Sequence, residues 1–221
     1  MKDLLVLRPE PGASATAAKA RKIGLNTIKV PLFEAKPLQW EAPEAASFDG
    51  LLLTSANALR HSGGQLQRMR GLKAYAVGDA TAEAAREAGF DIAATGDAGV
   101  ERLLGSIQPD LKLLHLCGAD RRESTAANQS ITAIPVYRAE PIADPDLSRA
   151  SGSVALIHSP RAGLRLAELI DDRASVTIAA ISEAAAEAAG DGWAAVEVAS
   201  QPSDDALLAL AARLCNKPDP E

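Results

Sequence analysis

An internal repeat relates the two halves of this chain and limits the folds that are open to it. The segment 30–33, Val-Pro-Leu-Phe, is matched 104 positions later by Ile-Pro-Val-Tyr at 134–137. The segment 53–55, Leu-Thr-Ser, is matched at the same distance by Ile-His-Ser at 157–159. This period is far longer than the roughly 20–50 residues of solenoid repeats. The repeat therefore predicts two domain-sized halves with the same fold.

Each half alternates short apolar runs with segments typical of helices. The apolar runs are continuous, which is typical of strands that are buried on both faces of a sheet. We expect strands at residues 3–7, 50–53, 74–77, 111–116, 154–157 and 177–181. We expect helices at residues 13–23, 57–69, 80–88, 99–107, 162–171, 183–189 and 204–214. This alternation predicts an α/β protein with two flavodoxin-like parallel-sheet domains that arose by internal duplication.

The segments 28–37 and 132–141 depart from this alternation. Each favours extended structure, carries two prolines, and does not lead directly into a helix. They are either two edge strands or a hinge that joins two domains.

Composition and charge exclude several classes of partner. The net charge of −6 provides no basic field for nucleic acid or for an anionic membrane surface. No apolar segment is long enough to span a membrane, and the N-terminal residues do not resemble a signal peptide. Cys117 and Cys215 are too few and too far apart for a disulfide framework, so we interpret them as thiols in a reducing compartment. We expect a cytoplasmic monomer that binds neither nucleic acid nor membrane.

The sequence lacks the motifs of common cofactor sites. The segment 190–192, Gly-Asp-Gly, lacks the third glycine of a dinucleotide loop, and there is no Walker-type phosphate loop. His61, His115 and His158 do not have the spacing of metal ligands, and His115 lies inside an apolar run where we expect a buried strand. We therefore expect no cofactor and no metal, so that the protein acts mainly by binding and orienting a ligand.

Hydroxylated and glycine residues recur where predicted strands end and predicted helices begin. These turns lie at 8–12, 54–57, 78–81, 117–122, 158–161 and 182–183. Ligands of open α/β sheets bind at the carboxyl ends of the strands, where helix N-termini offer free N–H groups to carboxylates or phosphates. The alternative is that the serines and aspartates only cap helices.

Ordered motifs along the chain resemble the uroporphyrinogen-III synthase family. They lie at 6–9, 31–33, 48–55, 76–82, 116–118, 136–138, 159–160 and 203–214, and together they extend over nearly the whole chain. The resemblance implies that residues 1–30 and 142–221 form domain 1 and that residues 39–131 form domain 2. It also implies that residues 31–38 and 132–141 are the strands of a two-stranded β connector between the domains.

The resemblance implies a lyase that acts on hydroxymethylbilane, whose four pyrroles each carry an acetate and a propionate. Loss of the hydroxymethyl hydroxyl as water gives an electrophilic azafulvene, which is attacked by the substituted carbon of ring D to form a spiro intermediate. Fragmentation and re-closure invert ring D and yield uroporphyrinogen III, a precursor of haem, sirohaem, cobalamin and chlorophyll. Unguided closure gives the type I isomer, so the enzyme must redirect the reaction as well as accelerate it.

By the same resemblance, Tyr137 is the candidate catalytic residue that assists departure of the hydroxyl. The alternative is an aromatic packed in the connector, because Phe33 occupies the equivalent position of the repeat. One departure from the family lies at 182–185, where Ser-Glu-Ala-Ala replaces the frequent Gly-Pro-Thr-Thr and removes a threonine. The candidate substrate-binding residues are Arg8, Thr54, Ser55, Asn57, Gly78, Thr81, Gly118, Arg121, Ser159, Arg161 and Ser182.

Two other functions are compatible with the same pattern. A two-lobed cytoplasmic module that binds a small anion without catalysis would show the same repeat, hinge and strand-end turns. An enzyme that handles a phosphosugar on a flavodoxin-like fold is less well supported, because no Glu and His pair has an informative spacing.

Overall fold

The computed structural model describes residues 1–96, 99–120 and 128–216. Its strands are β1 (Leu4–Val6), β2 (Thr27–Lys29), β3 (Phe33–Pro37), β4 (Gly50–Leu53), β5 (Lys73–Val77), β6 (Ile92–Gly96), β7 (Lys112–Gly118), β8 (Ser130–Pro141), β9 (Val154–Ile157), β10 (Thr177–Ala180) and β11 (Ala195–Val198). Its α-helices are α1 (Gly12–Lys22), α2 (Ala56–His61), α3 (Asp79–Glu87), α4 (Val100–Ser106), α5 (Pro160–Leu169), α6 (Glu183–Ala189) and α7 (Asp204–Asn216). In this part of the chain, no helix combines the length and the apolar character that crossing a membrane requires.

The chain divides into two compact units. Unit 1 comprises Met1–Glu34 and Pro141–Glu221, and unit 2 comprises Ala35–Glu140. Both division points lie within the segments 31–38 and 132–141, to which the sequence assigned a connector. That assignment, with the domain boundaries drawn from it, stays a prediction.

Unit 1 contains a five-stranded parallel sheet in the order β11-β10-β9-β1-β2. Helices α1 and α7 cover one face, where they pack against residues of β1, β9 and β10. Helices α5 and α6 pack against each other and against β9 and β10, and contribute no residue to that cluster in the described chain. They therefore cover the opposite face. Every residue of β1, β9 and β10 is buried, as their continuous apolar runs predict.

Unit 2 contains a six-stranded sheet in the order β3-β8-β7-β4-β5-β6, in which β8, β7, β4, β5 and β6 are parallel. Helices α2 and α3 pack on one face with Leu51, Leu53 and Leu114. Helix α4 packs on the other face with Leu52 and Leu113. The strands β6-β5-β4-β7-β8 of unit 2 have the same order as β11-β10-β9-β1-β2 of unit 1. The predicted α/β class with two parallel sheets is thereby confirmed.

The structure also corrects the predicted elements. The single helix expected at 57–69 is two elements: the α-helix α2 ends at His61, and a 3-10 helix follows at Gly63–Met69. The α-helix does not extend further because Gly63 has a φ of 59°. The strands β6 and β11 were not predicted. Most of their residues are exposed or only partly buried, and they lack the apolar runs of the other strands. The segment 28–37 holds the end of β2 and the whole of β3, and these two strands lie in different sheets.

Candidate functional site

The predicted site residues lie at or just beyond the carboxyl ends of the parallel strands. In unit 2 these are Thr54, Ser55, Asn57, Gly78, Thr81, Gly118 and Tyr137. In unit 1 they are Arg8, Ser159, Arg161 and Ser182. Because parallel strands end at the same edge of a sheet, each set collects at one edge of its own sheet. Arg121 lies outside the described residues.

Tyr137 is placed by its neighbour in the sheet, Gly118. The two residues are paired in the parallel register of β7 and β8, after a bulge between Cys117 and Gly118. A Cβ atom at Gly118 would lie 2.9 Å from Cζ and 3.1 Å from the hydroxyl oxygen of Tyr137. The absence of a side chain at Gly118 therefore leaves the space that the tyrosine ring fills.

A histidine lies near the same ring. The His61 imidazole and the Tyr137 ring have centroids 6.0 Å apart and planes tilted by 35°. Burial and then the charge of Arg60 lower the pKa of His61, so the imidazole is neutral at pH 7. The surroundings of Tyr137 in unit 2 thus combine an aromatic hydroxyl with an uncharged imidazole.

Thr54 and Ser55 follow β4 and have different partners. The Thr54 hydroxyl lies 3.0 Å from Nε2 of His115, which is buried in β7 as the sequence predicts. The Ser55 Oγ accepts a hydrogen bond of 3.2 Å from the backbone N–H of Asn57 and caps α2. Thr54 is only partly exposed, and Ser55 has the capping role that was the alternative to ligand binding.

Gly78 and Thr81 belong to the turn between β5 and α3. Gly78 is the N-cap of α3 with a φ of 83°, a left-handed conformation that favours glycine. Asp79, which the sequence suggested as a cap, is instead the first helical residue. Thr81 is only 6% exposed, so little of its surface is available to a ligand.

Ser159 and Ser182 occupy equivalent positions after β9 and β10 in unit 1. The Ser159 Oγ accepts a hydrogen bond from the N–H of Ala162 at 3.3 Å, and the Ser182 Oγ accepts one from the N–H of Ala185 at 3.4 Å. Both serines therefore cap helices. The guanidinium of the exposed Arg161 lies 4.5 Å above the ring of Phe33, a cation–π contact.

Arg8 belongs to a polar network at the carboxyl ends of β1 and β9. Its guanidinium lies over Gly12 at the start of α1, and its Nη1 donates a hydrogen bond of 3.3 Å to the Thr16 hydroxyl. The Thr16 hydroxyl donates to Asp204 Oδ1 at 2.8 Å, and Nε2 of His158 lies 3.1 Å from the same oxygen.

His158 and Asp204 were missed as site residues in the sequence analysis. They are far apart along the chain. His158 lies in the turn at 158–161 and Asp204 in the motif at 203–214, but neither residue was singled out there. The one available signal was that His158 directly follows a predicted strand and Asp204 begins a predicted helix. Such positions meet at the carboxyl edge of a parallel sheet.

These two surfaces can bind anionic groups through N–H, hydroxyl and guanidinium donors. Tyr137 adds a hydroxyl that can donate a proton. Within 1–96, 99–120 and 128–216, no three His, Cys, Asp or Glu side chains are grouped closely enough to hold a metal ion. Each surface, taken by itself, is suited to binding carboxylate groups.

Comparisons with known proteins agree on one family. A family model described as uroporphyrinogen-III synthase HemD matches residues 14–209. A uroporphyrinogen-III synthase of Chlorobaculum parvum is 29% identical over 101 residues, which are 42% of this chain and 41% of that protein. The chain thus spans about two fifths of the length of this curated relative. The crystal structure of uroporphyrinogen-III synthetase from Helicobacter pylori 26695 superposes on this chain with a TM-score of 0.64 and 18% sequence identity. The superposition covers 97% of this chain and 100% of that chain, so the two proteins share a fold.

Proposed function

The chain belongs to the uroporphyrinogen-III synthase family, and from this we propose that it converts hydroxymethylbilane into uroporphyrinogen III. The reaction is a cyclising loss of water with inversion of ring D, and it serves tetrapyrrole biosynthesis. The observation that carries the proposal is the family match over residues 14–209. The protein acts on this small-molecule substrate as a cytoplasmic monomer without a cofactor, and residues 31–38 and 132–141 connect its two domains.

Tyr137 is proposed to assist the first step, in which the hydroxyl leaves. Its O–H group donates a hydrogen bond or a proton to the departing oxygen, which then leaves as water. Two observations support this role: Tyr137 is only partly buried, and Gly118 keeps its ring at the carboxyl edge of the sheet. Beyond this step the substrate supplies its own electrophile, the azafulvene, and no protein nucleophile is needed.

Binding and orientation provide the remainder of the rate and all of the isomer selectivity. Arg8 and Arg161 in unit 1 pair with acetate or propionate groups, since guanidinium matches the geometry of a carboxylate. Hydroxyls and N–H groups at the other strand ends, including Thr54, Ser55, Asn57, Gly78, Thr81, Ser159 and Ser182, complete the proposed contacts. Holding ring D so that its substituted carbon meets the azafulvene favours the type III path over direct closure.

The test is an isomer analysis of the product. Purified protein is incubated with hydroxymethylbilane, the products are oxidised to porphyrins, and the type I and type III isomers are separated by chromatography. The proposal predicts mainly type III, formed faster than the type I product of a protein-free control. Type I alone, at the rate of that control, would refute the enzyme function and favour a small-anion binding module.

A further inference from the structure

We propose that Asp204 is a positioning residue for substrate binding, which holds the Arg8 guanidinium and the His158 imidazole at the carboxyl ends of β1 and β9. The inference rests on the proposed function for the identity of the substrate. It adds Asp204 and His158, which are not among the candidate substrate-binding residues predicted from the sequence. Asp204 acts through Arg8 and does not itself touch the substrate.

The location of this network is where an open α/β sheet binds its ligand. Strands β1 and β9 are neighbours in the sheet of unit 1. The helix that follows β1 packs on one face of that sheet, and the helix that follows β9 packs on the other. A crevice forms at the carboxyl ends of two such strands, and ligands of this fold class bind there. Arg8 and His158 are the residues that lie just beyond these two strand ends.

Asp204 is the centre of the network. Its Oδ1 accepts from the Thr16 hydroxyl at 2.8 Å, lies 3.1 Å from His158 Nε2, and lies 3.6 Å from Arg8 Nη1. Its Oδ2 lies 3.4 Å from Lys19 Nζ. One carboxylate therefore connects the turn after β1, the turn after β9 and the helix α1.

The charge of Asp204 fixes the tautomer of His158. Burial raises the pKa of Asp204, but hydrogen bonds from His158 and Thr16 and the charge of Lys19 outweigh burial and hold that pKa well below its usual range. The ionised carboxylate can only accept, so the His158 proton must lie on Nε2. Nδ1 is buried and has no hydrogen-bond partner among the described residues. An unpaired buried nitrogen lowers stability, so the histidine is not explained by folding alone.

The second unit shows that the fold does not need this network. The repeat places Thr54 at the position of His158 and Val100 at the position of Asp204. Unit 2 nevertheless has the same strand order, and Val100 packs with the apolar cluster under α4. The Asp204 network is therefore a feature that unit 1 carries beyond the requirements of the shared fold, as expected for a functional site.

Of the two residues just beyond the strand ends, Arg8 is the one that can reach a ligand. Lys19 in α1 is 49% exposed, but its Nζ lies 2.8 Å from Asp205 Oδ1. Its side chain is 36% exposed, whereas those of Asp204 and His158 are 20% and 8% exposed. Thr16 and Asp204 engage Nη1, so the guanidinium has further N–H groups for a carboxylate. Without Asp204 the Arg8 guanidinium is no longer held in place, so substrate binding has to order it. This cost raises KM more than it lowers kcat.

The experiment compares Asp204→Asn with Asp205→Asn as a matched control. Asp205 is the next residue of α7, is 83% exposed and also contacts Lys19. It therefore controls for loss of a carboxylate beside Lys19 at the start of α7. We expect Asp204→Asn to raise KM for hydroxymethylbilane about tenfold, the effect of losing one hydrogen bond to a charged group, and to change kcat by less than about twofold. Asp205→Asn should leave both constants unchanged. Equal effects of the two variants would overturn the proposal.

A double variant tests whether Asp204 acts through Arg8. In an Arg8→Gln background, Asp204→Asn should raise KM little further, because the guanidinium it positions is already gone. Additive effects would overturn the proposal. If Asp204→Asn does not fold, Thr16→Val is used instead, because it removes the hydroxyl that links Arg8 to Asp204. Thr16→Val should also raise KM. An unchanged KM would overturn the proposal.

A binding measurement separates this inference from the proposed function. Uroporphyrin I carries the same acetate and propionate groups but no leaving hydroxyl, and its binding is followed by fluorescence. The Kd should rise about tenfold in Asp204→Asn and stay unchanged in Asp205→Asn. In parallel, 15N spectra should show His158 protonated at Nε2 in the wild type and redistributed in Asp204→Asn. Failure to form type III product refutes the proposed function, whereas equal Kd values or an unchanged tautomer refute the positioning role.

Discussion

Replacing Gly118 by alanine should impair the reaction by displacing Tyr137. The new Cβ would lie 2.9 Å from Cζ and 3.1 Å from Cε2 of the tyrosine ring. Carbon atoms in contact normally stay about 3.5–4.0 Å apart, so the ring has to retreat by roughly 0.6–1 Å. The backbone of Tyr137 cannot follow freely, because its carbonyl accepts a hydrogen bond of 2.8 Å from Ala119. The displacement therefore falls on the side chain and on the hydroxyl that is proposed to assist water loss.

The size of the effect follows from this displacement. A misplacement of about 1 Å can reduce a rate by about 100-fold when a reacting group is involved. We therefore expect type III formation to slow by about 10- to 100-fold in Gly118→Ala. The free energy of unfolding should fall by no more than about 1–3 kcal/mol, the usual range for overpacking, because the ring can move toward solvent.

The assay is the initial rate of type III formation, with urea unfolding measured on the same preparations. Gly105→Ala is the control, since Gly105 lies in α4 with nothing within 4 Å of an added Cβ. It should leave the rate unchanged and raise the free energy of unfolding by roughly 0.5–1 kcal/mol. Combining Gly118→Ala with Tyr137→Phe should be little slower than Tyr137→Phe alone. A wild-type rate for Gly118→Ala, or additive losses in the double variant, would show that the position of Tyr137 does not matter.

Three further outcomes test the packing, capping and electrostatics of unit 1. Gly163→Ala should lower the free energy of unfolding in urea titrations by about 1–3 kcal/mol. The added Cβ would lie 2.7 Å from the Ala185 carbonyl oxygen, a backbone atom that cannot rotate away. An unchanged urea midpoint would contradict the close contact of α5 and α6. Ser159→Ala removes a helix cap and should lower the free energy of unfolding by about 1 kcal/mol. It should slow type III formation less than Tyr137→Phe does. A larger loss of rate than in Tyr137→Phe would show that Ser159 does more in the reaction than cap α5. Folding lowers the pKa of Asp204, so the ionised carboxylate stabilises the folded protein. This stabilisation is complete above the ordinary aspartate pKa of about 4 and is lost as the pH falls below that value. The free energy of unfolding should therefore drop between pH 5 and pH 3 more steeply for the wild type than for Asp204→Asn, and equal slopes would refute the depressed pKa.

The fold was predictable where the sequence carries continuous apolar runs. The strands at 50–53 and 154–157 have the predicted bounds, because leucine, valine and isoleucine fill both of their faces. Strand β6 reads Ile-Ala-Ala-Thr-Gly, which has little apolar area and no strict alternation, so its pairing with β5 decides its structure. The helix predicted to run through residue 63 changes type there, because a positive φ at glycine is a property of the packed chain that periodicity does not reveal.

The local structure around the candidate site residues was predictable at helix starts and not where distant segments meet. Ser159 and Ser182 were identifiable because a serine that follows a strand and precedes a helix has a local role. The pairing of Gly118 with Tyr137 depends on a bulge in the register of β7 and β8, which leaves no mark in the sequence. The contact of His158 with Asp204 requires two segments 46 residues apart to meet at one sheet edge. Such contacts follow from strand order, which the repeat alone does not give.

The most direct test of catalysis by orientation is the rate and isomer composition of the product formed by Tyr137→Phe. If many N–H, hydroxyl and guanidinium contacts share the effect, water or a neighbouring donor can still protonate the leaving hydroxyl. The rate should then fall by about 100-fold or less, the lower end of what a general acid contributes, and the product should still be mainly type III. Complete loss of type III formation in a variant that keeps its circular dichroism spectrum would contradict this account and identify Tyr137 as an indispensable acid.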